Sequence, residues 1–166
     1  MPEYTPTGPY TIGSGKKKGE ATELIMFSDY PWLRFMLDRL DETNSPNPNR
    51  LHRHLGWLLE QGETRQPKMI CHFCNERPVS YFSIYQSYGG GISIGLHYTC
   101  CDEKRCRREL DSLAAGTPIE LHEIKFSSIL HLKLKADQKA LAKMFRDIFG
   151  LPGRLSAEAA FDFFNL

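Results

Sequence analysis

Apolar positions along the chain change period several times, and each change marks an element. Residues 1–11 carry three prolines and no periodicity, so they read as an extended lead. Trp32, Phe35, Met36 and Leu40 then recur at i, i+3, i+4 and i+8, which predicts a helix whose apolar stripe joins the core. Ser28 or Asp29 is placed to cap it, and Pro31 suits its first turn. Residues 41–49, with Pro46 and Pro48, read as a linker. A second helix is predicted over 51–61, with Leu51, Leu55, Leu58 and Leu59 on one side and Gly62 as its stop. His52 and His54 on it read as surface histidines.

Beyond that helix the period falls to two. Residues 79–88 are rich in aromatic and β-branched side chains, and residues 92–98 place apolar groups on alternate positions. Gly89, Gly90 and Gly91 between them allow the positive φ of a tight reversal, so the pair predicts a hairpin. Asp102 is placed to cap a following helix carrying Cys106, Leu110 and Leu113, with Gly116 as its end. Residues 118–126 and 129–135 read as strands, the second because Leu130, Leu132 and Leu134 alternate with His131, Lys133 and Lys135. Residues 136–149 form an amphipathic pattern on Leu141, Met144, Phe145, Ile148 and Phe149, ended by Gly150 and Pro152. Ser156 can cap a last helix bearing Phe161, Phe163 and Phe164. So aromatic an end is expected to dock on the core or on a protein partner.

Composition narrows this picture only slightly. A chain of 166 residues with 41% hydrophobic content suits one or two small globular domains. The net charge of +1 gives no overall pull toward nucleic acid or membrane. No apolar run approaches a transmembrane length, and no signal-peptide pattern opens the sequence, so no membrane association is expected. An odd count of five cysteines with no secretion signal favours reduced thiols in the cytoplasm, with metal as their use.

Those cysteines hold the strongest chemical signal. All five lie between Cys71 and Cys106, in Cys71-His72-Phe73-Cys74 and in the run from Cys100 to Cys106. A knuckle, a hairpin and a helix start bring such pairs together in treble-clef or ribbon zinc modules. Zinc in a structural role takes four soft ligands in a tetrahedron with no open position. The expected ligands are Cys71, Cys74, Cys101 and Cys106. Cys100 competes for the third place, since adjacent strand-end residues point to opposite sides, and His97 is a further rival. The plainer alternative is ordinary buried or disulfide-bonded cysteines.

Enzymatic signatures are missing. No Gly-x-Ser-x-Gly, His-Glu-x-x-His or dinucleotide glycine pattern occurs, and Gly13 to Gly19 lacks the order of a phosphate-binding P-loop. A zinc deaminase needs His-x-Glu ahead of its cysteines, whereas His122-Glu123 follows them. An HNH-type nuclease shares the treble-clef frame and uses a hairpin histidine. His97 is so placed, but the Asp-His pair and the later asparagine and histidine are lacking.

Positive charge is local. Lys16, Lys17 and Lys18 form one cluster; Lys104, Arg105, Arg107 and Arg108 crowd the cysteine-bearing helix. With Tyr81, Phe82, Tyr85 and Tyr88 on the hairpin between them, they could contact phosphates and stack on bases. The alternative is a solvated helix face and core aromatics.

Gly15-Lys16-Lys17-Lys18-Gly19, then Leu24, then Asp29-Tyr30-Pro31-Trp32-Leu33-Arg34-Phe35-Met36-Leu37 resemble the small C-terminal module of exodeoxyribonuclease X-like proteins. That module reads Gly-Lys-x-x-Gly, a leucine, then Asp-Pro-x-Tyr-Leu-x-Trp-Leu; Tyr30 and Pro31 stand in exchanged order here. The resemblance spans residues 12–40 and implies an accessory nucleic-acid-binding element. The nuclease domain itself has no counterpart in this chain.

The expected fold is α+β: an N-terminal helical module over 12–66, a zinc-bound hairpin and helix over 67–116, and a C-terminal strand-and-helix unit over 117–166. The expected function is non-enzymatic binding of nucleic acid (DNA or RNA) by a small zinc protein of phage or mobile-element type, through Lys16, Lys17, Lys18, Lys104, Arg107 and Arg108. The alternatives are a protein-interaction adaptor and a degenerate HNH-like nuclease.

Overall fold

A computed structural model describes residues 4–43, 49–84, 97–113, 120–131 and 135–166. Helix α1 (Thr22–Ile25) follows a short turn, and α2 (Tyr30–Thr43) starts where Asp29 Oδ1 accepts the Trp32 N–H at 3.2 Å. The buried face of α2 is not the predicted stripe. Tyr30, Leu33 and Leu37, at i, i+3 and i+7, go into the core, while Phe35 is 53% exposed and Trp32 and Met36 are half-buried. The segment is apolar on two faces, so periodicity alone could not choose between them. Packing chooses: α2 lies on a later helix, with the Tyr30 and Phe145 rings 6.2 Å apart.

Helix α3 (Arg50–Glu63) is capped by Asn49, whose Oδ1 accepts the His52 N–H at 3.0 Å. Leu55 and Leu58 are buried as predicted, with Leu51 and Leu59 at the edge. Gly62 does not stop the helix; it sits inside the last turn, against Phe126. His54 is not a surface residue either, for it is fully buried.

Strands β1 (Tyr81–Ile84), β2 (His97–Cys100) and β3 (Glu120–Glu123) form an antiparallel sheet in the order β2-β1-β3. Tyr81 is the central register point, facing Cys100 on one side and Glu123 on the other. The predicted glycine turn, the outer parts of the hairpin and the predicted stop at Gly116 lie outside the described residues. Helix α4 (Lys104–Leu113) follows β2.

The strand predicted over 129–135 is overturned where the structure describes it, over 129–131 and at 135; residues 132–134 lie outside the described residues. Residues Phe126–His131 form a 3-10 helix, and Lys135 already opens α5 (Lys135–Ile148). Two serines explain the tight turn: the Ser127 N–H donates to Glu63 Oε1, and Ser128 Oγ donates to the Glu123 carbonyl, each at 2.8 Å. Helix α6 (Ala157–Asn165) begins where Ser156 Oγ accepts the Ala159 N–H at 3.1 Å.

One buried cluster draws on the whole chain, including Phe27, Leu33, Leu55, Cys71, Phe82, Leu110, Phe126, Phe145 and Phe164. The aromatic end docks on it: Phe164 stacks on Phe27 with centroids 5.5 Å apart, and Phe161 is buried with its ring stacked on Trp57 at 5.8 Å. These rings therefore dock on the core. The architecture is therefore mixed α and β, with the small sheet set among helices. Among the described residues no helix is long and apolar enough to cross a membrane.

Candidate metal centre

The first cysteine pair lies on a tight knuckle. Its ends are tied where the Cys71 N–H donates to the Arg77 carbonyl at 2.7 Å, and the Asn75 N–H returns to the Cys71 carbonyl at 2.8 Å. Asn75 takes φ 56°, a left-handed value that asparagine tolerates better than most residues. That turn aims the backbone N–H groups of Arg77 and Glu76 at the Cys74 sulfur. They pull its thiol down to about 7, toward the thiolate that a metal needs. The Lys68 and Met69 N–H groups both donate to the Ile148 carbonyl, at 2.8 and 2.9 Å, fixing the knuckle to the end of α5.

The second pair comes from the end of β2 and the start of α4. Cys100 is the last strand residue and is fully buried among the core groups. Cys101, one residue on, turns the other way and receives the Glu103 N–H. Cys106 arrives from the first turn of α4. Helix α4 starts after Glu103, whose carbonyl accepts the Arg107 N–H at 3.1 Å, so Asp102 is not its cap. Asp102 instead faces Arg77 at 3.4 Å, and Arg77 also pairs with Glu103 at 2.9 Å, joining the two halves across the surface.

The sulfurs of Cys71, Cys74, Cys101 and Cys106 all lie within 4.8 Å of one another. Cys74 and Cys101 are 3.8 Å apart. A tetrahedron with metal–sulfur bonds of about 2.3 Å has sulfur–sulfur edges of about 3.8 Å, whereas a disulfide needs about 2.05 Å. All five cysteines are free thiols, which removes the disulfide alternative. Cys100 is not in the group, and the His97 side chain lies outside the described residues.

Burial pushes the Cys106 and Cys101 thiols up, and their sulfur neighbours hold Cys106 higher still. Burial also raises Cys100 to about 11. Four clustered thiolates repel one another and would be poorly solvated; a divalent cation at their centre reverses that balance. The donor set can hold a metal ion, and its all-sulfur chemistry suits a soft or borderline one.

The basic residues divide. Lys16 and Lys18 are exposed, but Lys17 is tied to Asp29 at 2.9 Å and Glu20 at 3.2 Å, which pins the 13–19 turn to the start of α2. The hydrogen bond it donates to Asp29 is the largest influence holding its ammonium above the usual lysine range. Lys104, Arg105 and Arg108 are exposed on α4, whereas Arg107 lies over the Tyr81 ring at 5.5 Å. Of the hairpin aromatics, Phe82 is core and Tyr81 half-buried; Tyr85 and Tyr88 lie outside the described residues. Sequence reasoning missed a groove of about 1000 Å³ beside Lys16, walled by Trp32 and Phe35. The signal available was the second apolar face of α2. Lys104, Arg107 and Arg108 do not line this groove.

Comparison with known proteins returns no matching family model, no matching curated protein and no matching solved structure.

Proposed function

We propose that this chain is a non-enzymatic nucleic-acid-binding protein built around one structural zinc, held by Cys71, Cys74, Cys101 and Cys106 in a treble-clef-like frame. The observation that carries the zinc reading is the close packing of four sulfurs at the spacing of a tetrahedral thiolate site. Four thiolates fill zinc's coordination and leave no position for a reactive water, which favours a structural over a catalytic role. Free thiols of this kind suit a reducing compartment such as the cytoplasm.

The nucleic-acid reading is supported by exposed cations placed by rigid elements. Lys104 and Arg108 stand on the helix that the metal would anchor, and Lys16 and Lys18 stand on a turn pinned by Lys17. The likeness of residues 12–40 to an accessory module of nucleases points the same way. Binding is measured on the zinc-loaded chain with DNA and RNA, single- and double-stranded, at two salt concentrations. Each phosphate contact should add roughly 0.7–0.9 to the slope of log affinity against log salt. Replacing Lys104 and Arg108 by alanine should weaken binding and flatten that slope. No binding at low salt would overturn the proposal.

A further inference from the structure

We infer that the groove between the 13–17 turn and the outer face of α2 is a site for unpaired nucleotides of a single-stranded nucleic acid. This deepens the nucleic-acid reading and rests on it. The groove, about 1000 Å³, lies at the upper end of small-ligand sites, with room for a few nucleotides. Its floor and walls come from three places: the turn itself, Trp32, Phe35 and Met36 on α2, and the first residues of α3.

Three observations select the ligand. First, of the ten phenylalanines in the chain, Phe35 alone is exposed, at 53%, while the others are buried or half-buried. The Arg39 guanidinium lies over its ring at 5.2 Å, so a cation already accompanies this exposed aromatic surface. Second, Trp32 lies one helical turn away on the same face, giving two ring surfaces in one groove. Third, the charge around those rings is positive. The groove's one carboxylate, Asp29, is occupied by Lys17 and by the Trp32 N–H. Lys16 and Arg50 carry no ion pair among the described residues, and Arg50 rests over the Tyr10 ring at 5.7 Å.

Aromatic faces between cations match bases joined by phosphates. Stacking requires a base free of its neighbours, as in a single strand; a duplex offers its phosphates but hides its base faces. An apolar peptide would use the rings and leave Lys16 and Arg50 without a counter-charge.

The test uses the full zinc-loaded chain, an oligothymidylate of about 12 nucleotides, within the site sizes of such grooves, and a duplex of the same length. Single-strand binding should quench tryptophan fluorescence and should be tighter than duplex binding. Trp32→Ala and Phe35→Ala should each weaken single-strand binding about ten-fold or more and leave duplex binding within two-fold or so. Trp32→Phe, which keeps a stacking face, should restore most of the loss. Circular dichroism on each variant separates lost binding from lost fold. Single-strand binding unchanged in folded Trp32→Ala and Phe35→Ala would overturn the groove while leaving the α4 cations as the binding surface. Absence of binding to every nucleic acid would overturn the proposed function itself, and the groove with it.

Discussion

His54 Nε2 lies 2.5 Å from Glu23 Oε1, and neither residue exposes any surface. The Tyr4 hydroxyl meets the other ring nitrogen at 2.9 Å, and the Tyr10 N–H reaches both carboxylate oxygens, at 3.1 and 3.2 Å. Thr22 Oγ1 adds a further bond to Glu23 at 3.2 Å. A buried carboxylate is tolerated only when its oxygens are so satisfied. The network joins the lead, α1 and α3, and so holds the 13–19 turn and the groove beside it against the helical core.

Removing one partner of this pair should therefore cost more than an ordinary core truncation. His54→Ala leaves Glu23 buried without its main partner, and a loss of about 3–5 kcal/mol is expected. Glu23→Gln keeps most of the hydrogen bonds and should cost clearly less. Urea unfolding of the three proteins decides; a loss below about 1 kcal/mol in His54→Ala would show the pair to be incidental.

Gly62 lies where a helix would normally welcome alanine. A Cβ there would stand 2.5 Å from Phe126 Cδ2 and 3.0 Å from its Cγ. Phe126 cannot retreat, being fully buried with Phe149 stacked on it at 5.5 Å and Phe145 edge-on at 5.2 Å. Overpacking of about 1–3 kcal/mol should outweigh a helix-propensity gain of about 1 kcal/mol. Gly62→Ala should thus lower the thermal midpoint, and a raised midpoint would place Phe126 elsewhere.

Tyr30 predicts a change of the opposite sign. It is fully buried, and its hydroxyl has no hydrogen-bond partner among the described residues. An unsatisfied buried polar group costs about 1–3 kcal/mol, so Tyr30→Phe should stabilise, raising the melting temperature by about 2–4 °C per kcal/mol regained. Burial holds the Tyr30 hydroxyl well above its ordinary 10.0. Its raised folded value means stability is lost as pH rises past 10, where only the unfolded chain releases the proton. The advantage of Tyr30→Phe should widen above that pH. A variant no more stable than the parent at any pH would point to a satisfied hydroxyl.

The clustering of four cysteines was legible because their spacing encodes it directly: two short loops and a strand pair leave few ways to arrange four sulfurs. Strand alternation showed only that Cys100 and Cys101 point to opposite sides and could not choose between them; the structure groups Cys101 with the other three sulfurs and places Cys100 in the core. Helices α3, α5 and α6 were legible from their period, with Gly150 and Pro152 marking the end of α5 and Ser156 the start of α6. The inward face of α2 was not, because Tyr30-Leu33-Leu37 and Trp32-Phe35-Met36 are equally apolar and only the helix packed against them chooses. The alternation of Leu130, Leu132 and Leu134 reads as a strand, yet bonds from Ser127 and Ser128 close a 3-10 turn over Phe126–His131, where that reading begins. The burial of His54 depends on a glutamate 31 residues away, a distance no local pattern spans.

The most direct measurement is the metal content of the tag-free protein, purified without chelator, for the parent chain and two neighbouring cysteine variants. The parent and Cys100→Ser should each carry one zinc per chain. Cys101→Ser should lose it, and with it much of the fold, since zinc in small modules contributes on the order of 10–16 kcal/mol. Zinc-free parent protein, or a Cys101→Ser chain that keeps its zinc while Cys100→Ser loses it, would contradict the four-sulfur site.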